Sequence, residues 1–225
     1  MKKIILLLAF CLSVGNLFAQ DANADKLREE GDAAMTAKNY PEVVAKYSEY
    51  LKLTNYEDES RVFNCAFAAY NAKKYDDAIK FYDMAIQKGY KTDDAYVGKA
   101  MSLRSQDKAA DFTATVEAGL KANAQNANLE KLLYAYCMKK GQAAQKAGKT
   151  EEAEELFKDV LVVGNAKYKG NALYSLGVMF YNAGAKILQM PTRSQHPILI
   201  NTQLKRKKQM LKWQKPKVTW SRQSL

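Results

Sequence analysis

Histidine is almost missing from this chain. One residue in 225, His196, carries an imidazole, and it lies past residue 189. Residues 1–189 therefore offer no imidazole for a general base or a zinc site. The chain also lacks a P-loop, a dinucleotide-type glycine pattern, a Gly-x-Ser-x-Gly elbow and a His-Glu-x-x-His pair. No enzyme class with such a motif is indicated, and no cofactor or metal is expected. Proline is rare too: there are four, and Pro191, Pro197 and Pro216 all fall after 189. Acid is absent from both ends. Residues 1–20 carry two lysines and no acid, and residues 190–225 carry nine Lys or Arg and no acid. These account for the whole formal charge of +11, because Asp21 to Gln189 holds 24 basic and 24 acidic residues. A neutral body gives no electrostatic case for nucleic acid as a partner.

Long apolar runs are lacking as well. The one candidate, Ile4 to Leu12, is too short to cross a bilayer and is followed by Gly15 and Asn16. Lys2 and Lys3 precede it, and Leu17-Phe18-Ala19 ends in a small residue before Gln20. A charged start, an apolar stretch and a small residue predict a secretory signal peptide over 1–19, leaving no transmembrane segment after cleavage. Phe10 stands where lipoprotein processing wants a small residue, so lipidation at Cys11 is not expected. The Met-Lys-Lys start has a bacterial look, and a periplasmic or secreted protein is the expectation.

What is present is a helical pattern that repeats. Val62, Cys65, Ala66 and Ala69 follow the three-and-four spacing of one helix face, and Ala78, Tyr82, Ala85 and Ile86 resume it after a polar turn at Lys73-Lys74. Thirty-five residues earlier, Gly31, Tyr40, Val43 and Tyr47 stand for Ala66, Tyr75, Ala78 and Tyr82. Gly98 and Met101 match Ala66 and Ala69, with Ala110, Ala118 and Leu120 following if one residue is inserted near Asp111. Gly141, Ala144, Ala153, Phe157, Val160 and Leu161 repeat the pattern, and Leu173, Leu176, Gly177 and Phe180 begin it a fifth time. A two-helix period near 34 predicts an all-α solenoid, in which each hairpin buries its face against its neighbours. Pro41 and Glu42, Asp76-Asp77 and Glu151-Glu152 suit first turns of helices, Thr150 suits an N-cap, and Gly148 and Gly164 suit helix ends. The acidic runs at Glu57–Glu59 and Glu151–Glu155 read as such helix starts rather than as metal sites.

At these residues the chain resembles the tetratricopeptide repeat (TPR) family, which favours a small residue at position 8, Ala at 20 and 27, and an aromatic at 24. The resemblance implies a right-handed superhelical solenoid of helix-turn-helix repeats near 24–57, 59–90, 91–123, 134–166 and, in part, 170–189. It implies no catalysis. It implies a concave groove lined by positions 2, 5, 9, 12 and 13 of the first helices. Carried over, these are Arg28, Asp32 and Met35; Phe63, Phe67, Tyr70 and Asn71; Lys99, Ser102 and Leu103; Met138, Gln142, Gln145 and Lys146; and Tyr174, Val178, Tyr181 and Asn182. Rings beside amides suit an extended peptide, because rings bury area and amides pair with backbone. Phe63, Phe67, Tyr70, Asn71, Lys99, Gln142, Tyr174, Tyr181 and Asn182 are the candidate binding residues for a protein or peptide partner. A glycan or peptidoglycan fragment is the alternative ligand, since sugars also stack on rings. The chaperone-tail clamp of some members needs Lys and Asn where Arg28 and Asp32 stand, so that ligand is not indicated. Cys65 and Cys137 fall two repeats apart, and a solenoid joins only neighbours, so buried unpaired thiols are expected.

From Met190 the grammar changes. Both tryptophans lie here, acids vanish, and no helical period continues, although Leu173, Leu176, Phe180 and Ile187 call for a second helix. Reading the tail's codons one nucleotide forward forces Ala from Met190 with Pro191 and from Trp213 with Gln214. From Ile200 it permits Lys-Tyr-Ala-Ala-Glu-Lys-Glu-Lys-Ala-Asp-Ala-Lys-Met-Ala-Lys-Ala-Lys-Ser-Tyr-Leu-Glu, a strong helix former. Residues 190–225 are thus either a basic, disordered tail or a frameshifted stretch that replaces further repeat.

Overall fold

The computed structural model describes residues 22–189 and 204–209. The expected leader at 1–19 and most of the 190–225 tail lie outside these residues. Residues 22–36 form α1. There follow α2 (Tyr40–Leu53), α3 (Glu59–Asn71), α4 (Tyr75–Gln87), α5 (Thr92–Ser105), α6 (Ala109–Ala122), α7 (Ala127–Lys146), α8 (Thr150–Asp159) with a 3₁₀ turn at Val160–Val162, and α9 (Ala166–Gln189). A six-residue helix, α10, covers 204–209. No strand occurs among the described residues. The chain divides into two compact units, one ending at Phe180 and one beginning at Tyr181. In the first unit each helix from α2 to α8 packs on its sequence neighbours, which is the all-α solenoid the repeat predicts. In the second, Tyr181, Leu188 and Leu204 are exposed.

The hairpins turn by one device. Lys38, Lys73, Asp107 and Gly148 each adopt positive φ just past a first helix. The next residue's N–H then bonds the carbonyl five residues back: Asn39 to Ala34 at 2.9 Å, Lys74 to Ala69 at 2.8 Å, Lys108 to Leu103 at 3.0 Å and Lys149 to Ala144 at 2.9 Å. At the other end, Pro41 and Glu42, Asp76 and Asp77, and Glu151 and Glu152 occupy first turns. Asp58 caps α3 by accepting from the Arg61 N–H at 3.0 Å, which gives one acidic run its role. Two expectations are corrected here. Thr150 is the first helical residue, not the cap, because the turn through Gly148 leaves Lys149 at the cap. Gly164 ends no helix by a left-handed turn, and only Gly89 and Gly148 have positive φ among the described glycines.

Val62, Cys65, Ala66, Ala69, Ala78, Tyr82 and Ala85 are all buried. Each second helix buries a stripe spaced four and then three: Val43, Tyr47 and Tyr50; Ala78, Tyr82 and Ala85; Phe112, Val116 and Gly119; Ala153, Phe157 and Val160. The third of these overturns the supposed insertion. Ala110 and Ala118 are exposed, and Phe112, Val116 and Gly119 stand 34 residues after Ala78, Tyr82 and Ala85 with nothing inserted. The third repeat exchanges volume instead. A large Phe112 packs on Tyr136 at 4.5 Å between ring centroids, and Gly119 makes room for Leu129. α7 starts at Ala127, seven residues before the expected repeat start at 134.

Cys65 and Cys137 are free, buried and in separate core clusters. Burial pushes both thiols up to about 12, so neither is a nucleophile at neutral pH.

Candidate partner-binding surface

α3 presents the aromatic set as a graded surface rather than a row of free rings. Phe67 is 42% exposed and meets the edge of Tyr40, 6.0 Å between centroids. Tyr70 is half-buried and tilts against Tyr75 at 5.9 Å. Phe63 is half-buried, wedged edge-on between Tyr82 at 5.8 Å and Tyr90 at 6.2 Å, with the Lys91 ammonium 5.1 Å from its centroid. Asn71 donates its amide to the Phe67 carbonyl at 2.8 Å, which leaves its side-chain oxygen free to accept. Sequence reasoning missed Tyr40, Tyr75 and Tyr90 as members of this surface. Tyr40 and Tyr75 had been matched as equivalent positions, and each starts a second helix beside the first-helix ring it supports.

The remaining candidates do not join them. Lys99 is tied to Asp83 by an ion pair of 2.7 Å. Ser102 is fully buried and returns its hydroxyl to the Gly98 carbonyl at 2.8 Å, and Leu103 is core, so neither lines a groove. The carry-over fails on α5 because the expected register is two residues out: the turn bonds put Leu103 in the place of Ala69, 34 residues on, so Ala100 rather than Gly98 matches Ala66, and Ser102 and Leu103 fall on the buried face. Gln142 is exposed on α7, and Tyr174 is exposed on α9. Tyr181 and Asn182 are exposed in the second unit. Asp32 is closed off: it accepts from the Tyr47 hydroxyl at 2.5 Å and from Arg61 at 2.7 Å. Burial alone would raise the Asp32 carboxyl, but the bonds from Arg61 and Tyr47 outweigh it and hold the carboxyl below its ordinary value. Among the described residues no group of three His, Cys, Asp or Glu is arranged to hold a metal. No described helix is long and apolar enough to cross a membrane.

An open cleft of about 400 Å³ lies among α6, α7 and α8, lined by Asp107, Tyr136, Lys140, Glu155 and Asp159. Asp159 is pushed up to about 6, first by burial and then by repulsion from Glu117 and Glu155. The folded state therefore holds that proton more tightly than the unfolded chain does, and stability falls as pH climbs from about 4 through 6. Asp159→Asn removes the penalty. Its expected effect, discounted for the half-exposed position, is a gain of about 1–2 kcal/mol at pH 7.5 that disappears near pH 4. Chemical denaturation at the two pH values checks this.

No family model matches the chain. A TPR repeats protein of Bacteroides fragilis NCTC 9343, known from a crystal structure, superposes with a TM-score of 0.72 at 41% identity, over 84% of this chain and 85% of its own. The chain belongs to the tetratricopeptide repeat family. A curated relative in sequence, Hsp70-Hsp90 organizing protein 1 of Glycine max, is 30% identical over 65% of this chain and 26% of its own length. This chain thus spans about a quarter of that relative. The family's small position 8 has a visible purpose here: a Cβ on Gly31 would overlap the Tyr47 ring and one on Gly141 would lie 2.6 Å from Phe157, while Gly98 makes room for the Tyr82 ring of the preceding hairpin.

Proposed function

We propose that this TPR protein is a non-enzymatic scaffold of the bacterial envelope that binds an extended segment of a partner protein across α3. Phe67 carries the reading. It is a large ring, 42% exposed, held in place by the edge of Tyr40 rather than by its own burial, with an Asn71 oxygen one turn away to receive a backbone N–H. A pre-positioned ring loses little freedom on binding, which is the property of an anchor residue. Lys2, Lys3, the apolar run Ile4 to Leu12 and Ala19 support export.

Phe67→Ala with Tyr70→Ala tests the site. Neither ring is fully buried, so the double variant should keep its helicity and melt cooperatively. Affinity for a partner purified from envelope extract with the unmodified protein is expected to fall at least a hundredfold, about 3 kcal/mol, as two anchor rings are removed. Unchanged affinity removes α3 as the site. Displacement by peptidoglycan fragments rather than by peptides makes the ligand a glycan.

A further inference from the structure

α9 packs one side, Leu176 with Phe180, on Ala144, Ala153 and Phe157, and leaves the side of Leu173 and Gly177 uncovered among the described residues. In α1, α3 and α7 the small residue, Gly31, Ala66 or Gly141, stands five residues before the helix ends, and its ring, Tyr47, Tyr82 or Phe157, stands seven residues into the next helix. Gly177 holds that place in α9 by the register of Leu173, Leu176 and Phe180, yet a Cβ there would meet nothing within 4 Å. Leu173 is 52% exposed and Tyr174 74%. Leaving such a face open forgoes burial that every other hairpin achieves.

We infer that the occupant of this face is a helix encoded by the same gene one nucleotide forward of the tail, and that the reading after Gln189 is a shifted one. The genetic code requires this pattern whichever synonyms the gene uses. In the forward frame the codon shared by Lys208 and Gln209 reads Thr or Ala. The one shared by Lys212 and Trp213 reads Met or Val. The one shared by Lys215 and Pro216 reads Thr or Ala, and the one shared by Thr219 and Trp220 reads Leu, Met or Val. These four fall at spacings of four, three and four, one face of a helix. Small, large, small at four and three is the buried stripe of Ala78, Tyr82 and Ala85. In the tail as written these codons straddle Lys208 and Gln209, Lys212 and Trp213, Lys215 and Pro216, and Thr219 and Trp220, and neither set is small, large, small: one is three lysines and a threonine, and the other puts a proline inside the helix.

The gene decides this, together with two full-length proteins, one with the frame as written and one with it restored after Gln189. Genomic resequencing is expected to show a one-nucleotide length difference close to the Gln189 and Met190 codons. The restored protein should melt at least ~5 °C higher and slow amide exchange over 173–180 at least tenfold. Gly177→Leu should not lower the melting of the written chain, where leucine only improves helix propensity, and should lower that of the restored chain, because only there does a helix occupy the space. An unbroken frame in the genomic DNA overturns the inference. So does a restored chain that melts no higher, or one that accepts Gly177→Leu without loss.

Discussion

Glu130→Ala is expected to lower the stability of the full chain by about 2–4 kcal/mol, read by urea denaturation. Glu130 is a charged residue only 8% exposed, on the first turn of α7. Its Oε1 accepts the Gly164 N–H and, at 3.1 Å, the Asn165 N–H, in the segment that leads from the 3₁₀ turn into α9. Asn165 in turn caps α9 by accepting from Lys167 at 3.0 Å and Tyr168 at 3.1 Å. One carboxylate oxygen thus satisfies two backbone donors and places negative charge near the start of a 24-residue helix. Alanine would leave both donors without that partner. Glutamine keeps an acceptor oxygen and loses the charge, so Glu130→Gln should give roughly half the loss. A change within about 0.5 kcal/mol for the alanine variant would mean the contact adds nothing beyond an ordinary surface residue.

Gly31→Val is expected to cost a similar amount, about 2–4 kcal/mol. Placing alanine in a helix normally gains up to about 1 kcal/mol over glycine, so the sign here depends on whether the neighbour can move. It cannot move freely. The Tyr47 ring lies where a Cβ on Gly31 would go, its hydroxyl is bonded to Asp32 at 2.5 Å, and Asp32 is fixed by Arg61 at 2.7 Å. Burial, followed by the bond to Asp32, raises the Tyr47 hydroxyl well above its ordinary value, so it stays a donor at neutral pH. Valine adds two methyl groups against that locked ring. Combining Arg61→Ala with Gly31→Val tests the locking: if the second change returns part of the stability, the ring was held by the polar network.

The sequence made the core legible where side chains follow the helical period, as from Val62 to Ala85. It misled where volume was exchanged between positions, since Phe112 in place of an alanine looks like a shifted register until Gly119 is seen to compensate. The candidate surface was half legible. Phe67 and Asn71 face outward as their positions imply, whereas Ser102 and Leu103 stand in the places of Ala68 and Ala69 and are buried. A register misjudged by two residues turns an expected groove position into core. Glu130 left no signal at all. It reads as one more surface acid, and its partners are backbone groups 34 and 35 residues away.

Those polar links between helices of successive repeats share a length. Arg61 to Asp32, Gln106 to Asp76, Asn126 to Asp93, Lys140 to Asp107 and Asn171 to Tyr134 span 29 to 37 residues, about one repeat each. None of these bonds ties one end of the array to the other. Pulled by its ends, such a chain bears load in series, so its mechanical strength is that of its weakest junction and is not increased by adding repeats. An anchored partner tugging on this scaffold would peel it one hairpin at a time, leaving the hairpins beyond the break folded.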